Sequence, residues 1–159
     1  MLQFDNQGFL IPDNAISSTL QELEQVFVKD MPTGYRKQHF DSYLNYSKEL
    51  KKLCGDIELI QWIEGSFITK KEDPNDIDLV TFLDFDSTKS IHHLLENFKE
   101  PLSKTVYGVD AYILYTYSRD DKRYFFQQSD RAYWIDRFTK TKANKRGQKF
   151  KKGFLEITF

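Results

Sequence analysis

Cysteine is nearly absent from this chain: Cys54 stands alone among 159 residues. A single cysteine excludes an internal disulfide, and with it any structural zinc site built from several thiolates. Long apolar runs are missing too. No stretch approaches the ~20 apolar residues that a membrane-spanning helix needs. The N-terminus, Met1-Leu2-Gln3-Phe4-Asp5-Asn6, lacks the basic segment and apolar run of a signal peptide. Net charge is also lacking, since 23 Lys and Arg against 24 Asp and Glu leave −1. No global field therefore favours nucleic acid, and any such binding needs a local patch. There is no internal repeat and no low-complexity tract. These absences make a cytoplasmic protein without membrane contact the expectation.

What is present is 40% hydrophobic and 16% aromatic residues, rich in Phe and Tyr. That suffices for one core, so a single domain over 1–159 is expected. Phe4 to Ile11 reads as a short hairpin or extended arm. Pro12-Asp13-Asn14 starts a helix over about 14–29, where Ile16, Leu20, Leu23 and Phe27 recur at helical spacing. A second helix runs from Tyr35 to Cys54 and closes at Gly55, with Cys54 as a buried apolar residue. This helical N-terminal part, 14–54, precedes a core at about 57–117. Ile57 to Ile63 is a central strand and Asp76 to Asp84 the next. Asp86-Ser87 caps a helix that turns Ile91, Leu94, Leu95 and Phe98 inward, and Pro101 ends it. His92 and His93 on it read as surface or groove-edge residues. Val109 to Tyr117 is a third strand. In the accessory part, 118–159, Tyr124-Phe125-Phe126 reads as a returning strand. A short helix follows over about 130–138, then a basic segment to Lys152 and a last strand from Gly153.

The chemistry concentrates between Gly65 and Val80. A small-residue turn, Gly65-Ser66, precedes a polar loop, and the loop ends at Asp76 and Asp78. On a strand, Asp76, Asp78, Val80 and Phe82 share one face. Two carboxylates side by side repel unless a cation sits between them. Magnesium prefers such oxygen ligands and keeps positions open for phosphates. Gly65 allows close approach of a phosphate to the backbone. Asp110 on the next strand can join the pair. Three convergent carboxylates hold two divalent ions about 4 Å apart, an arrangement that stabilises in-line attack at phosphorus.

The series Gly65-Ser66, Asp76-Ile77-Asp78 and Asp110 resembles the nucleotidyltransferase superfamily with the DNA polymerase β-type fold. The phrases Trp62 to Phe67, Pro74 to Val80, Tyr133 to Phe138 and Lys152-Gly153-Phe154-Leu155 are similar to small bacterial nucleotidyltransferase-like proteins of unassigned role. The resemblance implies an α/β (α+β) fold: a small mixed sheet carrying an acidic metal site, helices mainly on the opposite face. It implies Asp76, Asp78 and Asp110 as catalytic metal ligands for two Mg2+ (or Mn2+) ions. Gly65 and Ser66 would hold a nucleoside triphosphate, with Lys70 and Lys71 as the nearest basic matches. The implied activity is transfer of a nucleoside monophosphate to a hydroxyl of an RNA end, a protein or a small molecule. The competing expectation is a non-catalytic nucleotide-binding or antitoxin-like module, the partner in a toxin–antitoxin or defence pair. The basic run at 140–152 reads as a solvated loop, or as a clamp for phosphates, a nucleic-acid acceptor or a partner protein. Trp134 and Arg137 read as a packing residue and a surface ion pair.

Overall fold

The computed structural model describes residues 1–159. Five strands form one mixed sheet: β3 (Ala15–Ser18), β4 (Ile60–Glu64), β5 (Asp78–Asp84), β6 (Asp110–Thr116) and β7 (Phe154–Thr158). Their spatial order is β3-β7-β4-β5-β6. The β3–β7 and β5–β6 pairs are parallel, and β4 runs antiparallel to both neighbours. A separate hairpin, β1 (Gln3–Phe4) with β2 (Leu10–Ile11), leads in, as the sequence suggests.

Five α-helices accompany the sheet: α1 (Leu20–Glu24), α2 (Gly34–Cys54), α3 (Phe85–Thr88), α4 (Leu102–Tyr107) and α5 (Tyr124–Phe138). α1 continues as a π-helical turn, Gln25–Lys29, and α3 as 3-10 helix, Lys89–Phe98. No helix is long and apolar enough to cross a membrane.

Strand alternation assigns the two faces of the sheet. Gln61 and Thr81 point to one face, where the buried side chains Tyr43 and Ser47 of α2 hydrogen-bond Gln61. Tyr46 continues this layer by donating to the Phe98 carbonyl at 3.0 Å. Trp62, Phe82 and Phe154 point to the other face and pack together, with Trp62 4.6 Å from Phe82 and 4.9 Å from Phe154 between ring centres. α5 covers this side, placing Trp134 on Tyr112 and Phe138 on Phe154. The helices thus gather mainly on one face, and α5 alone takes the face that carries Asp78 and Asp110. One cluster of 28 buried apolar residues joins both layers, and it includes Cys54.

Several expectations are corrected. The first helix does not begin at 14: Ala15–Ser18 pair with β7, and the helix starts at Leu20 behind Thr19, whose hydroxyl accepts the Glu22 N–H at 3.1 Å. The strand expected from Asp76 begins at Asp78, with Asp76 in the extended approach to it. Asp84, rather than Asp86-Ser87, caps α3, and Leu94 is exposed because the segment winds as 3-10 helix. Tyr124-Phe125-Phe126 is the first turn of α5 and not a strand. The Gln127 side chain accepts the Tyr117 N–H at 2.7 Å just beyond β6, which ends the strand there. α4 has no counterpart in the sequence reading.

Candidate active site

β4 ends at Glu64, and the chain turns at Gly65 with φ +91°. That value suits glycine alone. The turn has a second reason for glycine, because a Cβ at 65 would overlap the Asp78 carboxylate. The backbone of Gly65 therefore lies directly against Asp78. In register, Glu64 stands opposite Asp78 on β5, and Asp78 stands opposite Asp110 on β6. The three carboxylates share one face because β-register puts them there.

The loop after Gly65 is fixed from behind. Arg36 of α2 is fully buried. Its Nη1 donates to the Phe67 carbonyl at 2.7 Å and to Phe27 at 3.2 Å. Its Nη2 donates to Thr69 at 2.7 Å and to Lys71. One guanidinium thus gathers three carbonyls of the segment 67–71, a use of its fixed fork geometry. Thr69 adds a bond to the Ser66 carbonyl at 2.8 Å and receives the Lys71 N–H at 3.1 Å.

In front of this loop lies a cleft of about 750 Å³. Gly65, Ser66, Lys71, Asp76 and Asp78 line one side. Tyr133, Asp136 and Arg137 from the end of α5 line the other, with Lys140, Lys142, Lys149 and Lys152 from the arm that follows. The arm is a ribbon whose halves meet through the Thr141 N–H and the Phe150 carbonyl at 2.8 Å, and it turns at Asn144–Gly147. Of the expected site residues, Gly65, Ser66, Lys71, Asp76 and Asp78 therefore come together. Lys70 does not join them. Its N–H donates to the Gly8 carbonyl at 2.9 Å and its ammonium lies 5.1 Å from the Phe4 ring centre, so it packs under the N-terminal hairpin. Asp110 flanks Asp78 without lining the cleft.

The charges are strongly perturbed. Burial, then Asp76 and then Asp110, push Asp78 up to about 6, against the opposing pull of Lys142 and Arg137. Lys152 is 6% exposed, and burial pushes it down to about 8. The Glu64 carboxylate pairs with its ammonium.

Three participants escaped sequence reasoning. Glu64 and Lys104 carry charge into the site, as does Lys152 of the basic run, and Glu100 sits beside Asp110. Burial first, then Asp110, raise the Glu100 pKa. Lys104 reaches Asp76 Oδ2 at 3.1 Å and Asp110 Oδ1 at 2.8 Å. The second contact is ionic without an aligned hydrogen bond, and Asp110 Oδ1 is buried with no hydrogen-bond partner. No motif signals Glu100 or Lys104; Glu100 only precedes a proline. Trp134 is buried packing, as expected, whereas Arg137 lines the cleft and lies 5.3 Å from the Trp134 ring centre.

A divalent ion fits the donor set in chemistry. The ligands are all carboxylate oxygens, and Asp78 resists ionisation while no divalent cation balances it. In number the fit is narrower, since no three carboxylate, imidazole or thiol groups converge on one point.

Over residues 2–158 the chain matches the family of unknown function DUF6932, and it belongs to that family. No curated protein and no solved structure matches it.

Proposed function

We propose that this chain is a metal-dependent nucleotidyltransferase. It transfers a nucleoside monophosphate from a nucleoside triphosphate to a hydroxyl of an acceptor and releases pyrophosphate. The observation that carries this reading is the seat of Asp78: a half-buried carboxylate set against the Gly65 backbone, flanked by Asp76 and Asp110, at one wall of a cleft whose other wall is basic. A magnesium or manganese ion held at Asp76 and Asp78 would neutralise charge on the reacting phosphates.

The remaining work falls to the chain's own groups. Ser66 and the Gly65 turn border the place for the phosphates. Lys142, Lys149 and Lys152 face the carboxylates across the cleft, Lys71 stands beside them, and together these lysines offset the roughly four negative charges of a triphosphate. The acceptor oxygen bonds to the α-phosphorus as the bond to the β-phosphate's bridging oxygen breaks. Asp110 stands beside Asp78 on the neighbouring strand, and it would take the acceptor's proton. Catalysis is then positioning plus charge neutralisation.

A second reading, a non-catalytic nucleotide-binding partner module, has one observation in its favour: the Lys104 ammonium already stands between Asp76 and Asp110. One experiment separates the two. Purified protein is incubated with each radiolabelled ribonucleoside triphosphate and Mg2+ or Mn2+, with RNA, lysate proteins and the chain itself as acceptors. Label transfer by the wild type and none by Asp76→Ala/Asp78→Ala is expected. Metal-dependent triphosphate binding without transfer favours the partner module. Equal transfer by the double variant overturns the catalytic assignment.

A further inference from the structure

Lys104 is placed by the fold, and its long stem is only the last step. α4 is tied to β6 at its start. The Glu100 N–H donates to the Ala111 carbonyl at 2.9 Å, and the Ala111 N–H donates to the buried Ser103 hydroxyl at 3.2 Å. These bonds fix the backbone next to Lys104 against the strand that carries Asp110. The ammonium then lies 3.1 Å from Asp76 Oδ2 and 2.8 Å from Asp110 Oδ1. This is the interval in which a cation shared by those two carboxylates would stand. The remaining cation position lies on the cleft side, between Asp76 and Asp78, where Gly65 closes the flank of Asp78.

We propose that Lys104 is the built-in second cation of this centre, so that the site takes one divalent ion, at Asp76 and Asp78, where the sequence pattern leads one to expect two. The inference rests on the metal-dependent reading above and revises its stoichiometry. Three carboxylates are balanced by one divalent ion and one ammonium. A second divalent ion has to displace Lys104 or lie within contact range of a like charge, which the local field opposes. The chemical consequence is specific. An ammonium neutralises Asp76 and Asp110, through a hydrogen bond to the first and an ion pair with the second, but it offers no open coordination position to an incoming oxygen. Lys104 is thus a positioning residue, and deprotonation of the acceptor falls to the Asp110 carboxylate without help from a shared ion.

The test counts ions directly. Mn2+ is added to the full-length wild type, Lys104→Met, Lys104→Arg and Asp76→Ala/Asp78→Ala. Bound Mn2+ is quantified, and electron paramagnetic resonance distinguishes an isolated ion from a coupled pair. The expected result is one isolated Mn2+ in the wild type and in Lys104→Arg, a coupled pair in Lys104→Met, and none in the double variant. A coupled pair in the wild type overturns the proposal while leaving the metal-dependent reading intact. A single ion in both the wild type and Lys104→Met also overturns it, because Lys104 then excludes nothing. No bound Mn2+ in the wild type overturns this proposal and the metal-dependent reading together.

Discussion

The two walls of the cleft are built by different physics. The acidic wall hangs on a sheet. Asp78 is aligned with Glu64 and Asp110 by strand register, and the loop behind it is clamped by the buried Arg36. The basic wall hangs on an arm. Lys142 and Lys149 are exposed, and the ribbon that carries them is held by a few bonds, such as the Lys152 N–H to the Thr139 carbonyl at 3.0 Å. Only Lys152, at the base of the arm, is buried. The difference teaches a division of labour: the carboxylates sit on the rigid side and most of the facing lysines on the adaptable side, which suits the ion and the flexible phosphate chain proposed for them.

The largest effect expected from breaking this contrast is at Arg36. Arg36→Met removes the common donor of four buried or part-buried carbonyls, at Phe27, Phe67, Thr69 and Lys71. Unpaired buried acceptors are costly, so urea denaturation should show a loss of roughly 3–5 kcal/mol. Lys142→Met and Lys149→Met, both solvent-facing, should stay within about 0.5 kcal/mol of the wild type. Comparable losses in the two sets would mean that the arm is as structural as the loop, and the comparison would fail.

Next in size is Gly65→Ala. The new Cβ meets the Asp78 carboxylate at a backbone φ that side chains avoid. A loss of about 1–3 kcal/mol is expected. The displaced Asp78 should also weaken Mn2+ binding, read by the same ion count as above. An unchanged affinity would show that the close packing of Gly65 and Asp78 serves the turn and not the ion.

How much of this was legible in the sequence follows from the same division. Period-two alternation places Asp78, Val80 and Phe82 on one face from sequence alone, because a strand has only two faces, and Asp110 joins them once β6 is laid beside β5. The arm has no period, so nothing in its order says that Lys152 is buried while Lys145 is not. Lys70 and Lys71 illustrate the limit within the rigid half. They are adjacent in a loop, and what turns Lys71 to the cleft and Lys70 to Phe4 is a pair of distant backbone contacts, with Arg36 and with Gly8. Ile16 and Leu20 fit a helical spacing, so the sequence predicts helix where β3 lies. Its parallel pairing with β7, from the opposite end of the chain, overrides that local pattern. Lys104 was invisible for a related reason: it gains meaning only once α4 is laid against β6.

The last effect is the one that reads both walls at once. Asp78 is raised to about 6, so the fold favours its protonated form. Between the usual carboxylate value near 4 and pH 6 the folded chain holds a proton that the unfolded chain has lost. Metal-free stability therefore falls as pH rises through that interval and levels off above it. Lys152 is lowered to about 8, so the fold disfavours its charged form. Between pH 8 and the usual lysine value the unfolded chain holds the extra proton, and stability rises with pH. Each limb has a slope of at most about 1.4 kcal/mol per pH unit. Denaturation curves in chelator from pH 4.5 to 9.5 should thus show a shallow minimum between about 6 and 8. Asp78→Asn should flatten the acid limb alone and Lys152→Met the alkaline limb alone. That minimum is the interval in which Asp78 and Lys152 are both charged, so an ion and a phosphate chain should bind best where the ligand-free protein is least stable. If Lys152→Met leaves the alkaline limb in place, the ammonium is not the group that titrates, and the buried base of the arm belongs with the solvated lysines beyond it.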